Sequence, residues 1–105
     1  MQLARVRGNV VASIKASGLA ARKLLLLEPV AAANPLASGA GDPESTAVYV
    51  AIDLVGAGVG EVVLVTLGSA ARVAPDGQTA APTDAAVIAI VDSVQLDGEP
   101  TFVKH

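Results

Sequence analysis

The residues with the clearest potential for chemistry are two carboxylates, Asp53 and Glu61, bracketing the densest glycine cluster of the chain, Gly56-Ala57-Gly58-Val59-Gly60. A second small-residue segment beginning at Ser69 ends in Arg72, whose guanidinium could take a carboxylate or backbone carbonyls. Glycine loops cradle phosphates when they open a helix, because the helix N-terminus then faces the anion. Here the spacing is G-x-G-x-G, not G-x-G-x-x-G, and it leads into Glu61-Val62-Val63-Leu64-Val65-Thr66, a β-branched run that reads as a strand. No Gly-Lys pair exists for the other phosphate loop. The glycines therefore read as a tight connection between strands, with at least one expected at positive φ.

Acid/base catalysis or an activated nucleophile has little to draw on. The single histidine is His105, at the end of the chain, and there is no cysteine, so neither a Ser-His-Asp nor a Cys-His arrangement can be built and no metal-ligand spacing appears. Of the ten acidic residues, Asp42, Glu44, Asp76, Asp97 and Glu99 fall at turns or strand ends, where solvation explains them. Asp53, Glu61 and Asp84 are harder to dismiss, and backbone capping or an ion pair with Arg72 accounts for them better than catalysis. No catalytic residue, cofactor or metal is expected.

The elements that must position these residues follow from composition and alternation. The 105 residues form one domain, residues 1–105, yet 52% are apolar, more than a small soluble monomer covers with its own surface. A partner chain or a membrane must absorb the excess. Apolar runs such as residues 62–67 are far short of the ~20 residues of a spanning helix. Arg5 and Arg7 sit inside an alternating pattern, which does not suit a secretory signal. The basic residues are scattered and Tyr49 and Phe102 are the only aromatics, so a nucleic-acid platform is not expected.

Residues 3–15 alternate, with Ala4, Val6, Gly8, Val10, Ala12 and Ile14 predicted inward. Residues 19–28 are rich in helix formers, but four consecutive leucines would wrap a helix and Pro29 favours extended geometry before it, leaving helix and strand even. Residues 31–45 have loop composition, and residues 46–55 alternate again. Pro82-Thr83-Asp84-Ala85-Ala86 offers a helical turn before a last strand over residues 87–96. In that strand Ile88, Ile90, Val94 and Leu96 are predicted inward. Val87, Ala89 and Val91 are predicted outward, joining Ala47 and Ala51 as candidate subunit contacts. Five strand-like segments with short turns predict an all-β, five-stranded OB-like barrel with one or two short helical turns.

The run Val55-Gly56-Ala57-Gly58-Val59-Gly60-Glu61-Val62-Val63-Leu64-Val65, followed by Gly68-Ser69-Ala70-Ala71-Arg72, resembles the signature of the bacterial microcompartment vertex proteins, the EutN/CcmL family. Leu3-Ala4-Arg5-Val6-Arg7-Gly8-Asn9-Val10-Val11-Ala12, Lys23-Leu24-Leu25-Leu26-Leu27-Glu28-Pro29 and Asp84-Ala85-Ala86-Val87-Ile88-Ala89-Ile90-Val91-Asp92 match the same family in order, with Ala4 standing where it often carries Gly. The resemblance implies a strand for the tetraleucine segment. It also implies a structural role in the cytoplasm: a homopentamer that caps the vertices of a polyhedral shell built of hexameric and, in some cases, trimeric tiles. By the same resemblance Gly56, Ala57, Gly58, Gly60 and Glu61, with Ser69 and Arg72 beside them, sit at a contact with a neighbouring subunit or tile, and Ala89 belongs to the subunit interface by its outward placement. The alternative from the barrel alone is an oligonucleotide- or oligosaccharide-binding module.

Overall fold

The computed structural model describes residues 1–13, 15, 19, 22–37, 48–68, 71 and 83–104. Among these, seven strands form: β1 (Gln2–Val10), β2 (Lys23–Pro29), β3 (Tyr49–Asp53), β4 (Val62–Leu67), β5 (Ala85–Ile90), β6 (Ser93–Leu96) and β7 (Glu99–Val103). The first five close into a barrel in the order β1-β2-β3-β5-β4, and the last two make a separate hairpin. All barrel pairings are antiparallel except β3 with β5, which is parallel and makes the barrel mixed. Closure leaves the barrel with no free sheet edge.

A five-stranded barrel is narrow, so its interior takes large side chains only opposite small ones. Leu25 and Leu27 of β2, Val6 of β1, Val63 and Val65 of β4 and Val87 of β5 fill it, faced by Ala4, Ala51, Ala57 and Ala85. Each fully buried Val or Leu contributes roughly 1.5–3 kcal/mol. The tetraleucine segment is a strand because its leucines divide between two apolar environments. Leu25 and Leu27 point into the barrel, whereas Leu24 packs on a second cluster of Ile52, Ala71 and Ala86.

Two β-bulges correct the alternation read from sequence. Along β1, Val6 pairs with Leu27 and Gly8 with Leu26, so Arg7 is an extra residue. Side-chain parity flips there: Ala4 and Val6 are inside as expected, but Gly8 and Val10 pair with the outward Leu26 and Leu24. The strand ends at Val10, and Ile14 lies outside the described residues. Along β5, Val65 pairs with Val87 and Leu64 with Ala89, which makes Ile88 the extra residue. Val87 is therefore in the core, not outside it, Ile90 packs against the core as predicted, and Ala89 is half-buried on the outer face.

Ala51, expected at a subunit contact, is buried inside the barrel because β3 turns its bulkier side, Val48, Val50 and Ile52, outward. Ala47 lies outside the described residues. The turn expected at residues 82–86 is not helical where it is described. The Thr83 hydroxyl accepts from the Ala85 N–H (3.2 Å) and donates to its carbonyl (2.8 Å), starting β5 directly. Among the described residues, 3₁₀ geometry lies at Gly68 and Ala71. The last predicted strand is broken at Val91 and Asp92, and its second half, with Val94 and Leu96, forms the hairpin with β7.

Candidate functional site

The glycine loop is tied down from both ends by the two carboxylates that bracket it. Asp53 closes β3 and turns its carboxylate into the loop, where Oδ1 accepts from the Val55 and Gly56 N–H groups, each at 3.0 Å, and Oδ2 from Ala57 at 2.9 Å. Ala57 is fully buried in the barrel core, and its carbonyl accepts from Lys23 Nζ at 3.2 Å. At the other end Glu61 Oε1 accepts from the Gly58 N–H (2.7 Å), while the Gly60 N–H donates to Val6 O (2.8 Å). Gly56 and Gly60 have φ of +81° and +92°, a conformation that costs an L-residue about 1–2 kcal/mol. Gly58 has no such requirement, and a Cβ there would meet only the Glu61 carboxylate, at 3.4 Å.

Glu61 also accepts from Lys104 Nζ at 2.7 Å through Oε2. That hydrogen bond, reinforced by the Gly58 N–H, holds the Glu61 carboxyl below the ordinary glutamate value. A depressed carboxyl stabilises the fold above its unfolded value and stops doing so as pH falls through the folded one. The clamp therefore holds at neutral pH and opens only in acid, as pH falls below the ordinary glutamate range.

The result is a loop whose N–H groups at Val55, Gly56, Ala57, Gly58 and Gly60 are all held within the chain, with both bracketing carboxylates committed to holding them, which is poor material for catalysis. What it offers outward is apolar: Val55 and Val59 are exposed, the latter at 70%. Asp53→Ala should strand three N–H groups, one of them buried at Ala57, and lower stability by about 3 kcal/mol in a urea titration. Asp53→Asn, which keeps an acceptor oxygen, should cost less.

Of the residues singled out in the sequence, Gly56, Ala57, Gly58, Gly60 and Glu61 come together in this loop. Ala57 faces the core, not a partner. Ser69 and Arg72 lie outside the described residues. Ala89 sits elsewhere, on the outer face of the barrel across from Leu64, which in turn lies across from Leu3, all three half-buried. On the far side of the barrel the outer faces of β2 and β3 carry Leu24, Leu26, Val50 and Ile52. The barrel thus has two apolar outer faces, one on β1, β4 and β5 and one on β2 and β3, separated by the interior.

Sequence reading missed a buried ionic cluster. Glu28 is 1% exposed on the outer side of β2, bonded to Arg7 Nη1 and lying 3.5 Å from Arg5 Nη2, while Arg5 Nη1 donates to Leu36 O at 2.6 Å. The bulge at Arg7 is what lets both arginines reach one carboxylate. Arg5 and Arg7 in one alternating run were visible, but not the strand that faces them.

The chain matches the family model described as ethanolamine utilisation protein EutN/carboxysome over residues 1–92. The chain belongs to the EutN/CcmL family. It is 42% identical over 104 residues to the microcompartment shell vertex protein EutN of Escherichia coli (strain K12), covering 99% of this chain and all of that one. The solved structure of CcmL from Gloeobacter violaceus superposes with a TM-score of 0.79 at 43% identity, covering 99% of this chain and 98% of that one. The pentameric microcompartment shell protein GrpN from Rhodospirillum rubrum superposes with a TM-score of 0.71 at 35% identity, covering 91% and 98%. This EutN/CcmL-type protein is a shell vertex component of a bacterial microcompartment, carboxysome or metabolosome, and a structural protein rather than an enzyme. The oligonucleotide- or oligosaccharide-binding alternative is set aside by the same relatives.

Proposed function

We propose that this chain assembles into a homopentamer and, as that ring, closes the five-fold vertices of a shell whose flat faces are laid by hexameric and trimeric tiles. The observation that carries the reading is the pair of apolar outer faces on opposite sides of a closed barrel. A head-to-tail ring needs two different, complementary surfaces on each copy, and a closed barrel has no edge through which strands could add instead. The face of Leu3, Leu64 and Ala89 on one copy meets the β2 side of the other face, at Leu26, on the next. The pentameric state of the GrpN relative supports five as the number that closes the ring.

In the same reading the glycine loop is the contact toward the tile. Its internal hydrogen bonds leave it stiff, and its exposed Val55 and Val59 present apolar area without the ordering cost of a mobile loop. Native mass spectrometry of the purified chain should show a pentamer with no added cofactor; a monomer at micromolar concentration refutes the ring. Gly58→Leu separates the loop's two possible neighbours, since the chain itself accommodates a side chain there. A normal pentamer that no longer enters co-expressed shells places the tile against the loop, a weakened pentamer places the adjacent subunit there, and normal pentamers in normally closed shells exclude both.

A further inference from the structure

The hairpin of β6 and β7 stands off the barrel. Its strands pair with one another and with no barrel strand. Among the described residues its anchors are the Thr101 hydroxyl, donating to Ala32 O at 2.6 Å, and, where the chain enters it, the Val91 N–H, donating to Val62 O at 2.8 Å, with the Lys104–Glu61 ion pair at its other end. A two-stranded hairpin alone is marginal in water and needs a surface to pack on. This one is nonetheless sharply built. Asp97 and Gly98 both have positive φ, 54° and 79°, as a two-residue turn of the mirror-image type requires. A bulge at Thr101 puts Val94, Leu96 and Phe102 on one face, with Leu96 41% exposed.

The barrel offers a surface of matching character in an open groove along the outer face of β2, β3 and the start of β5, lined by Leu19, Leu24, Val50 and Ile52, with Thr83 and Asp84 on the β5 side. On the β2 side the Arg22 N–H donates to Leu19 O (2.9 Å) and Lys15 Nζ to Arg22 O (3.0 Å), so two basic residues stand at that rim, Lys15 placed by its ammonium and Arg22 by its backbone. The hairpin's tip carries two exposed acids, Asp97 and Glu99. Acidic tip, cationic rim and apolar face against apolar floor are complementary in one orientation only, with the tip toward β2 and away from Asp84.

We infer that the β6–β7 hairpin is an arm that seats in the β2–β3 groove of the next copy of this chain, Leu96 on Val50 and the Asp97/Glu99 tip toward Arg22 and Lys15. The inference rests on the ring proposed above and deepens it: each copy then supplies one arm and receives one, and the arm extends the contact made by the barrel faces. Because part of the contact is ionic, it weakens as salt rises.

The chain has no cysteine, which makes a cross-link decisive. In the full chain carrying Leu96→Cys and Val50→Cys, a short bis-maleimide should join copies into a ladder ending at the ring, while either single substitution gives no ladder. A product linked within one copy, or no link in a protein whose native mass is unchanged, overturns the arm. As a second measurement, Glu99→Lys should raise the concentration at which the ring dissociates by about tenfold, the scale of a lost ion pair and a new like-charge contact, and Arg22→Glu should bring it back. An unchanged dissociation in Glu99→Lys overturns the arm as well. A monomeric parent chain is a different result: it removes the ring itself, whereas a pentamer that fails these tests removes only the arm.

Discussion

Ala89→Arg should leave the barrel folded and abolish the ring. Ala89 is half-buried on the outer face of β5, across from Leu64, so in an isolated copy a long side chain has room to run over the surface with its charge in water. In the proposed ring the same position meets the apolar face of the next copy, where the guanidinium would be desolvated opposite Leu26. Leaving a charge unpaired there costs about 3–5 kcal/mol per interface, and the cost repeats at every interface of a closed ring. Circular dichroism should report the β spectrum of the parent while native mass spectrometry reports monomer. A pentamer carrying Ala89→Arg would show that this face is solvated and that the ring, if present, uses another.

The second large effect concerns the arginines over Glu28. Removing both, as Arg5→Ala with Arg7→Ala, leaves a carboxylate that is 1% exposed without the two guanidinium partners seen here, and should cost about 3–5 kcal/mol of stability. For a chain of this size that lowers Tm by tens of degrees, on the order of 4–8 °C per kcal/mol. The same background with Glu28→Met should recover much of the loss, because an apolar side chain of similar length needs no partner in that environment. If the double substitution were silent in thermal unfolding, the cluster would be ornamental to the fold.

Much of this protein was legible in its residues. The absence of cysteine, a single histidine at residue 105 and the G-x-G-x-G spacing leave little material for catalysis, metal or nucleotide binding. Positive φ in the glycine cluster followed from density alone and is found at Gly56 and Gly60. The strand-forming runs at β1, β3 and β4 came from alternation and β-branching, which are local properties of the chain. The last hairpin is absent from that reading: Asp97-Gly98 between short apolar runs is a hairpin signal, but residues 87–96 read as one closing strand because the break at Val91 and Asp92 carries no glycine or proline.

What only the tertiary structure decided is which side of each strand is inside. Alternation assumes an unbroken period of two, and one extra residue resets it. Arg7 and Ile88 are those residues, and neither type announces a bulge. The bulge at Ile88 turns Val87 inward and leaves Ala89 outside, and the bulge at Arg7 brings two arginines onto Glu28. The same holds for the tetraleucine segment, even between helix and strand by propensity, where the barrel interior on one side and the Ile52 cluster on the other supply two apolar environments at a spacing of two. Local propensity names the strands, but inside and outside are set by pairing with residues far along the chain, and that information is absent from any short window.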